Sequence, residues 1–389
     1  MKVFTKTIIL LSLVSMFTDI SSEMLYPIMP MFLKSIGFSV IWIGILEGIA
    51  EATAGFSKGY FGKISDMTGK RMLFVRLGYG LSSIAKPAMI LLTQPAWVLF
   101  CRTMDRLGKG IRTSARDAIL SSEATAENKG KVFGLHRAAD TLGAAIGPAL
   151  ALMYLIYFPG NYTHLFYIAF IPAVIGVLIT LIIKDKNTEI KSEKLDYNFF
   201  SFLMYWKSST IEYKRLIFGL LMFVFINSSD MFLLLMLKTR GFTDNFVIGA
   251  YIFYNLIYAL FSTPIGYLGD KIGLNRTFLL GLFCFSIVYL GFGFATSIYQ
   301  FAILFALYGI YSAGTEGISK AWISNIALKD ETATAIGFYN SFQSIGTLLS
   351  SFIAGLLWYY FSPSTPFILS GAMCLIIIIY FQIFVEKKR

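Results

Sequence analysis

Ionisable side chains inside long apolar runs are the feature of this sequence that points most directly to chemistry. Only 14% of the 389 residues are charged, whereas a soluble domain carries roughly 25%. Asp19 and Glu23 lie four residues apart, hence on one helical face, and Glu47 and Glu51 share this spacing. Burial and nearby arginines shift the pKa of a carboxyl group in opposite directions, so it can exchange a proton as its surroundings change from wet to closed. The pattern therefore indicates proton-exchange chemistry.

Basic residues accompany these acids, most densely in the run 96–119. There Asp105 can pair with Arg102, Arg106 or Lys109, so part of the charge can be neutralised within one helix. An ionisable group inside a bilayer needs a partner or a water-filled cavity. Satisfied structural pairs remain an alternative to function for all of them. The candidates for proton coupling or a substrate cavity are Asp19, Glu23, Glu51, Arg106, Arg112, Arg137, Asp230 and Glu316.

Charged residues near the ends of the apolar runs have a different expected role. Arg116 and Asp117 lie near the end of the run 96–119, and Lys320 lies in a corresponding position near the end of a later run. We expect them to pair with charged residues of the loop motif, such as Asp66 and Asp270. His136 is interpreted as a hydrogen-bonded core histidine rather than as a ligand.

Aromatic and polar side chains share helical faces in two later runs. Tyr251, Tyr254, Asn255 and Tyr258 follow an i, i+3, i+4, i+7 spacing. Faces of this kind suit a binding cavity, and ordinary packing between helices produces the same pattern. The possible cavity residues are Tyr26, Tyr251, Tyr254, Asn255, Tyr258, Tyr339, Asn340 and Gln343.

The apolar runs that position these residues are long enough to cross a membrane. A transmembrane helix needs about 20 apolar residues, and 56% of this chain is hydrophobic. Twelve such spans use nearly the whole chain, so we expect an all-α membrane protein without a soluble domain. The runs are 8–33, 39–61, 72–93, 96–119, 131–157, 164–183, 216–237, 246–268, 277–295, 298–325, 334–358 and 365–385.

The basic residues also predict the orientation of the chain. With the N-terminus in the cytoplasm, twenty Lys and Arg fall on cytoplasmic segments and three (Lys34, Lys238 and Arg240) on the opposite side. This imbalance places both termini in the cytoplasm. It also accounts for the net charge of +11 without a nucleic-acid partner. The three cysteines lie in apolar runs without zinc-ligand spacing, so neither a disulfide nor a metal site is expected.

Two halves of the chain repeat each other. The segment 62–71 after the second run matches the segment 266–276 after the eighth at an offset of 204. The same offset pairs Gly110 with Gly314 and Arg112 with Glu316, and we expect Arg112 and Glu316 to face each other. Duplicated halves around a central site are a transporter architecture. We expect two six-helix bundles related by a pseudo-twofold axis, with a linker in which the stretch 199–206 could lie along the membrane surface. The predicted ranges are 1–183, linker 184–214 and 215–389.

The repeated loop segments resemble the loop motif of the major facilitator superfamily, and the resemblance covers essentially the whole chain. The second copy fits the motif fully, whereas the first has Met67 where a basic residue is usual. The resemblance implies the twelve-helix fold and a latch that stabilises one access state; a role in topology alone is the alternative. The Asp of each copy can cap a helix or pair with a base. The latch residues are Gly62, Asp66, Gly69, Arg71, Arg116, Gly266, Asp270, Lys271, Gly273 and Arg276.

Two further motifs carry the same resemblance. Arg106 and Gly110 match a fourth-span motif whose arginine is implicated in proton transfer in the family, with Lys109 in place of the usual glutamine. A fifth-span pattern is similar to the motif associated with antiporters, although its closing Gly-Gly is absent. Packing alone could also explain these small residues. The pattern consists of Gly134, Gly143, Gly147 and Pro148.

These observations favour a proton-driven antiporter that exports a small organic solute from a bacterial cytoplasm by alternating access. The basic cluster supports an alternative, proton-symport uptake of an anionic solute such as a carboxylate, a phosphate ester or a siderophore-like chelate. A divalent-cation carrier and a non-transport membrane assembly factor are further alternatives. The sequence contains no HExxH, GxSxG or phosphate-loop pattern, so an enzyme is not expected. We expect no cofactor beyond the coupling proton, and a monomer in the inner membrane.

Overall fold

The computed structural model describes residues 4–184 and 198–385. Residues 185–197 of the predicted linker 184–214 lie outside these ranges. Some basic residues on which the orientation rests also lie outside them, namely Lys2, Lys186, Lys191, Lys194, Lys387, Lys388 and Arg389.

Long helices account for every predicted span. Each predicted run corresponds either to one helix or to two consecutive helices with a short break. The helices are α1 (Lys6–Leu25), α2 (Met29–Ser35), α3 (Val40–Thr68), α4 (Arg71–Met89), α5 (Pro95–Ser122), α6 (Lys129–Tyr157), α7 (Tyr162–Ile182), α8 (Tyr205–Ser208), α9 (Ile211–Ile226), α10 (Met231–Thr239), α11 (Asp244–Ile272), α12 (Leu274–Phe294), α13 (Ile298–Ile326), α14 (Thr332–Tyr360) and α15 (Thr365–Tyr380).

Local capping residues explain where several helices begin. A Ser or Thr hydroxyl accepts a hydrogen bond from a backbone N–H of the first turn, which satisfies a donor that the helix itself cannot. Gly69 ends α3 with φ of 66°, a left-handed conformation that favours glycine. The capping residues are Thr5, Ser39, Thr210, Thr243 and Ser297.

Two predicted spans are interrupted. The first breaks between α1 and α2 around Pro27, which has no backbone N–H to donate. The seventh breaks between α9 and α10, where the residues Asn227–Asp230 leave the helix. Short polar side chains compete with helical hydrogen bonding there, and the carbonyl oxygen of Asn227 accepts a hydrogen bond from Ser350 Oγ at 2.9 Å. The seventh break exposes backbone groups beside Asp230.

Within the described residues, nine helical stretches are long and apolar enough to cross a membrane by length and composition. The helices α3, α4 and α5 match predicted spans but are not among these nine. They carry several charged residues each, which lower their hydropathy. Of the eight candidate residues, Glu51, Arg106 and Arg112 lie on α3 and α5, and the other five lie elsewhere in the chain.

The packing divides into two compact units. The first consists of 1–123, 139–208 and 328–344, and the second of 124–138, 209–327 and 345–389. The division cuts α6 and α14, so the first turns of each join a unit from the other half of the sequence. The predicted ranges 1–183 and 215–389 describe the sequence repeat, and they stay a prediction.

In the first unit, α5 packs closely against both α3 and α4. Gly78 and Gly108 face each other across α4 and α5, where an added Cβ on Gly108 would lie 2.6 Å from the Gly78 carbonyl oxygen. This close approach places the polar side chains of α5 directly against α4. The short helix α8 and the turn before it also belong to this unit, and Trp206 stacks on Phe338 of α14 with ring centroids 5.8 Å apart.

Aromatic side chains fill the core of the second unit. Phe285 stacks on Tyr289 with ring centroids 3.9 Å apart, and Tyr311 lies beside them. A packed aromatic core fixes the helices that carry its polar groups. Its fully buried members include Phe278, Phe285, Tyr289, Phe292, Phe301, Phe305 and Phe367.

Candidate functional site

Two parallel ion pairs join α3 to α5 in the first unit. Arg102 binds Glu47 with both ends of its guanidinium, with Nε–Oε1 at 2.8 Å and Nη2–Oε2 at 2.9 Å. One turn further along both helices, Arg106 Nε lies 3.2 Å from Glu51 Oε1. The pairs form because two acids and two arginines each repeat at four residues, which puts each set on one helical face. The pairing supplies each arginine with a counter-acid.

A polar seam continues between α4 and α5. Ser82 donates to the backbone oxygen of Asp105 at 2.9 Å and accepts from Arg112 Nη1 at 2.7 Å. The Arg112 guanidinium lies over the ring of Tyr79, 4.5 Å from its centroid. Asp105 also lies 3.5 Å from Arg102 Nη1, which confirms the predicted pairing inside this helix.

Arg116 has partners other than those expected. Its guanidinium binds Asp117 at 2.9 Å and donates to Ser15 of α1 at 2.7 Å. The expected pairing of Arg116 with a loop acid was wrong. Arg116 is buried inside the first unit, and Asp66 forms its ion pair with Arg71.

The carboxyl groups of Asp19 on α1 and Asp140 on α6 meet in the first unit and form a side-chain hydrogen bond. Two of the motif glycines bring the helices together. An added Cβ on Gly143 would lie 2.5 Å from the Met16 carbonyl oxygen, and one on Gly147 would lie 2.6 Å from that of Ile20. Asp140 is itself buried. A hydrogen bond between two carboxyl groups needs a proton on one of them, so a pair of this kind is able to hold one exchangeable proton.

Asp230 is held by two phenols in the second unit. Tyr254 of α11 donates to Oδ2 and Tyr308 of α13 donates to Oδ1, each at 2.5 Å. The rings of Tyr254 and Tyr308 are 5.3 Å apart, and Tyr251 lies edge-on to Tyr254. The break before α10 places the Asp230 side chain between the aromatic rings of Tyr254 and Tyr308. We call Asp230, Tyr254 and Tyr308 the tyrosine cage.

An ion pair lies beside the same helices. Arg137 Nη2 binds Glu316 Oε2, and the Arg137 guanidinium lies 6.0 Å from the ring centroid of Tyr258. The sequence repeat had suggested that Arg112 and Glu316 would face each other. The structure instead gives Glu316 an arginine from the start of α6.

The two loop-motif aspartates each bind the first turn of a helix from the other half of the sequence. Asp66 accepts hydrogen bonds from the N–H and hydroxyl of Thr334 at 2.7 and 2.9 Å, and it pairs with Arg71 at 2.6 Å. Asp270 accepts from the backbone N–H of Gly130 and of Lys131, both at 2.8 Å. Both expected modes of binding, helix capping and pairing with a base, occur.

The linker aromatics lie beside the first of these contacts. Phe202 is buried against Phe338, and Gly59 of α3 faces its ring. Burial raises the pKa of the Tyr205 phenol, and the carboxylates of Glu331 and Asp66 raise it further. Phe202 and Tyr205 therefore pack on protein, whereas Phe199, Phe200 and Met204 are exposed, and the position of this stretch along the membrane surface stays a prediction.

Comparison with known proteins decides the family. The model of the Major Facilitator Superfamily matches residues 11–257 and 243–389, which together cover nearly all of the chain. The chain belongs to the major facilitator superfamily. It is 35% identical over 384 residues to an uncharacterised MFS-type transporter of Methanocaldococcus jannaschii, covering 96% of this chain and 93% of that protein.

Two further proteins are similar to this chain over most of its length. A multi-drug resistance efflux pump PmrA homologue of Lactococcus lactis is 24% identical over 362 residues, covering 88% of this chain and 87% of that protein. The crystal structure of the human organic anion transporter MFSD10 (TETRAN) superposes with a TM-score of 0.78 at 15% identity, over 96% of this chain and 98% of that one. The similarity to the MFSD10 structure shows that the two chains share a fold. The protein is therefore an MFS transporter with many membrane-spanning helices, as the motifs indicated.

The remaining predicted cavity residues are spread over both units. Tyr26 is exposed at the break between α1 and α2, and Asn255 donates to the backbone oxygen of Tyr251. On α14, Tyr339 and Asn340 are buried. Gln343 is partly exposed, and Glu23 lies one turn beyond Asp19 on α1. Only Tyr254 among these reaches one of the candidate acids through a hydrogen bond described above.

The motif glycines act at points of close helix contact. Gly134 faces Ser262 and Gly266 of α11, and Gly62 faces Ala333 of α14. The second loop motif ends α11 at Gly273, whose φ of 101° favours glycine. Lys271 lies over the ring of Tyr267 at 4.6 Å from its centroid, and Arg276 is exposed.

Sequence reasoning missed three residues of the site. Lys86 is a buried lysine of α4, Tyr308 belongs to the tyrosine cage, and Asp140 is the partner of Asp19. Lys86 could have been found from the sequence, because it is the single charged residue of the apolar stretch 84–92. Across the described residues, no group of three or more His, Cys, Asp or Glu side chains is placed to hold a metal ion.

Proposed function

We propose that this MFS transporter exports a small organic solute in exchange for protons. The observation that carries the proposal is the carboxyl pair Asp19–Asp140, which holds one exchangeable proton between two helices of the first unit. Antiport needs a group that is loaded from one side and emptied to the other. The glycines that place the pair belong to the antiporter-like pattern on α6, which links the sequence motif to the acid chemistry.

The tyrosine cage is the proposed contact for the solute. Asp230 supplies a carboxylate between aromatic rings, an arrangement that attracts a positively charged or hydrogen-bond-donating organic group. The multidrug name of the Lactococcus lactis relative agrees with an amphipathic organic solute. We therefore expect compounds that combine an amine with an aromatic body to be exported.

Uptake of an anionic solute by proton symport is the second candidate. Arg112 favours this candidate, because its guanidinium contacts the hydroxyl of Ser82 and the ring of Tyr79. Arg102 and Arg106, however, have Glu47 and Glu51 as counter-acids, which reduces the positive charge that an anion would meet. The same pairs occupy two of the acids that a divalent-cation carrier would need.

The orientation and the membrane are part of the proposal. The described basic residues of the predicted cytoplasmic loops, among them Lys63, Lys70 and Lys214, agree with cytoplasmic termini. We place the protein as a monomer in the cytoplasmic membrane of a prokaryote.

Transport into proteoliposomes under an imposed pH gradient tests the proposal. Purified full-length protein is reconstituted, and ethidium is the cationic probe, with citrate as the anionic one. Export by proton exchange predicts that ethidium accumulates in liposomes with an acidic lumen and not after the gradient is collapsed by a protonophore. Accumulation of citrate with the proton flux, and none of ethidium against it, would instead support anion symport.

A further inference from the structure

Lys86 is a lysine of α4 whose ammonium group has no hydrogen-bond partner among the described residues. The residue is only 3% exposed, so water does not solvate the charge freely. Removing an ammonium group from water without a close partner is costly, and such groups concentrate at functional sites. Lys86 has no role in the proposed exchange of a proton for a solute.

The face of α4 that carries Lys86 looks toward α1 and α5. Tyr79 and Ser82 lie on this face, seven and four residues before Lys86. Tyr79 Oη lies 3.2 Å from Ser15 Oγ of α1, and Ser82 donates to the backbone of Asp105 on α5. Lys86 is therefore directed to the place where these three helices meet.

Acids and bases face Lys86 from several helices. Asp105 attracts it most strongly and Asp19 also attracts it, whereas Arg112 and Arg106 repel it. Both acids have another partner, since Asp105 lies near Arg102 and Asp19 is bonded to Asp140. The charged groups that act on Lys86, Asp19 or Arg106 from the surrounding helices include Asp19 and Glu23 on α1, Glu47 and Glu51 on α3, Asp105, Arg106, Lys109 and Arg112 on α5, and Asp140 on α6.

We propose that Lys86 is the mobile countercharge of the carboxyl pair Asp19–Asp140. When the shared proton leaves to water, the Lys86 ammonium moves to the bared Asp19 carboxylate. When a proton returns, the ammonium moves back toward Asp105. Lys86 keeps its own protons throughout, so one proton enters or leaves the site in each direction. The inference rests on the proposed proton coupling.

The physical reason is the repulsion between two adjacent carboxylates. Such a pair resists losing its shared proton unless a positive charge approaches. A lysine suits this role because its ammonium sits on a flexible four-carbon stem and carries three donors. The arginines of α5 suit it less, because Arg102 and Arg116 are bound to acids at fixed positions.

Infrared difference spectroscopy on the full-length protein in lipid nanodiscs tests the inference without any substrate. The pH is stepped, and the carboxylic-acid band that Asp19→Asn and Asp140→Asn both remove reports the pair. In Lys86→Gln the titration midpoint of this band should move to higher pH by about one unit or more. A shift of one unit means that the carboxyl pair binds its proton tenfold more tightly. Asp105→Asn should move it to lower pH, because Lys86 then has one acid fewer to attract it.

Two variants control for the charge and for the site. Lys86→Arg keeps the charge, and we expect its midpoint near that of the wild type. Lys58→Gln removes a lysine of the same unit whose ammonium donates to Ser344 at 3.0 Å, and we expect no shift. A midpoint in Lys86→Gln that equals the wild-type one would overturn the inference.

A stability measurement separates this role from a structural one. A mobile countercharge contributes little to folding, so Lys86→Met should unfold at the same temperature as the wild type or a few degrees higher. A structural ion pair predicts a loss of several degrees instead, which would contradict the inference. If the band shifts as expected and a pH gradient drives no transport, the export proposal fails while the assignment of Lys86 stands.

Discussion

Asp19 and Asp140 are ordinary carboxylic acids whose special chemistry comes from being placed against each other. Alone in an apolar region each would be either neutral or paired with a base. Their contact makes the proton a shared part of the structure. In the second unit, Asp230 shows the other solution, in which two phenols supply the hydrogen bonds that water would otherwise give.

The tyrosine cage yields a prediction at the residue scale. Tyr254→Phe and Tyr308→Phe each remove one donor to Asp230, and a hydrogen bond to a charged group contributes about 1.5–3 kcal/mol. Because the carboxylate then loses its fixed position, we expect the apparent affinity for ethidium to fall roughly tenfold in each variant. Binding is measured by fluorescence on purified protein.

Tyr267→Phe is the matched control for this prediction. Tyr267 contacts the side chains of Lys131 and Lys271 through its ring, which phenylalanine preserves. Its substitution should leave the affinity for ethidium unchanged. Equal affinities in all three variants and the wild type would remove the tyrosine cage from the solute site.

Much of the residue chemistry could be predicted from sequence, whereas the pairings between residues of different helices could not. The four-residue spacing of Glu47 and Glu51 predicts a shared face correctly. Which base each acid meets depends on the register between helices, and spacing within one helix carries no information on that. The partner of Glu316 illustrates this, since the repeat suggested Arg112 and the fold supplies Arg137.

At the scale of elements, the contact between α1 and α6 decides whether the carboxyl pair forms. Gly147→Ala places a Cβ 2.6 Å from the Ile20 carbonyl oxygen, and overpacking of this kind costs roughly 1–3 kcal/mol. We expect a lower unfolding temperature and loss of pH-driven transport, measured by a thermal scan and by ethidium uptake. Gly80→Ala on α4 is the control, because nothing lies within 4 Å of its added Cβ. A Gly147→Ala protein as stable and active as Gly80→Ala would contradict the packing argument.

The loop-motif aspartates give a second prediction at this scale. Asp66→Asn weakens the cap on α14 and the pair with Arg71, and Asp270→Asn weakens the cap on α6. Losing a cap costs about 0.5–2 kcal/mol. The resemblance of the loop motif implies that these contacts stabilise one access state, and on this basis we expect a several-fold slower turnover with nearly unchanged affinity for ethidium. Stopped-flow exchange rates and binding curves check this, and normal turnover in both variants would mean that the motif only sets topology.

The positions of the helices followed from apolar runs, whereas their interruptions did not. The runs 8–33 and 216–237 each predicted one span, and each contains a break. Pro27 explains the first in hindsight. The second depends on hydrogen bonds that Asn227 donates to the Tyr311 hydroxyl and accepts from the Ser350 hydroxyl, and both partners lie far away in sequence. Tertiary partners therefore decide whether a polar segment leaves the helix.

At the scale of the whole molecule, the sequence repeat shows in the contacts of both loop motifs. Gly62 contacts Ala333 and Gly266 contacts Gly130, so equivalent glycines meet equivalent helix starts. The carboxyl pair and the tyrosine cage break this symmetry, since one holds a proton and the other a buried carboxylate between phenols. The proposed cycle uses this difference to exchange a proton for a solute.

The most direct test of proton exchange through the carboxyl pair compares driven with passive transport in the same proteoliposomes. Asp19→Asn and Asp140→Asn keep the size of each side chain and remove the exchangeable proton. The account predicts that both variants lose ethidium accumulation under a pH gradient and retain downhill exchange of ethidium at a measurable rate. If both variants still accumulate ethidium with the wild-type dependence on pH, the assignment of the coupling proton to Asp19 and Asp140 is contradicted.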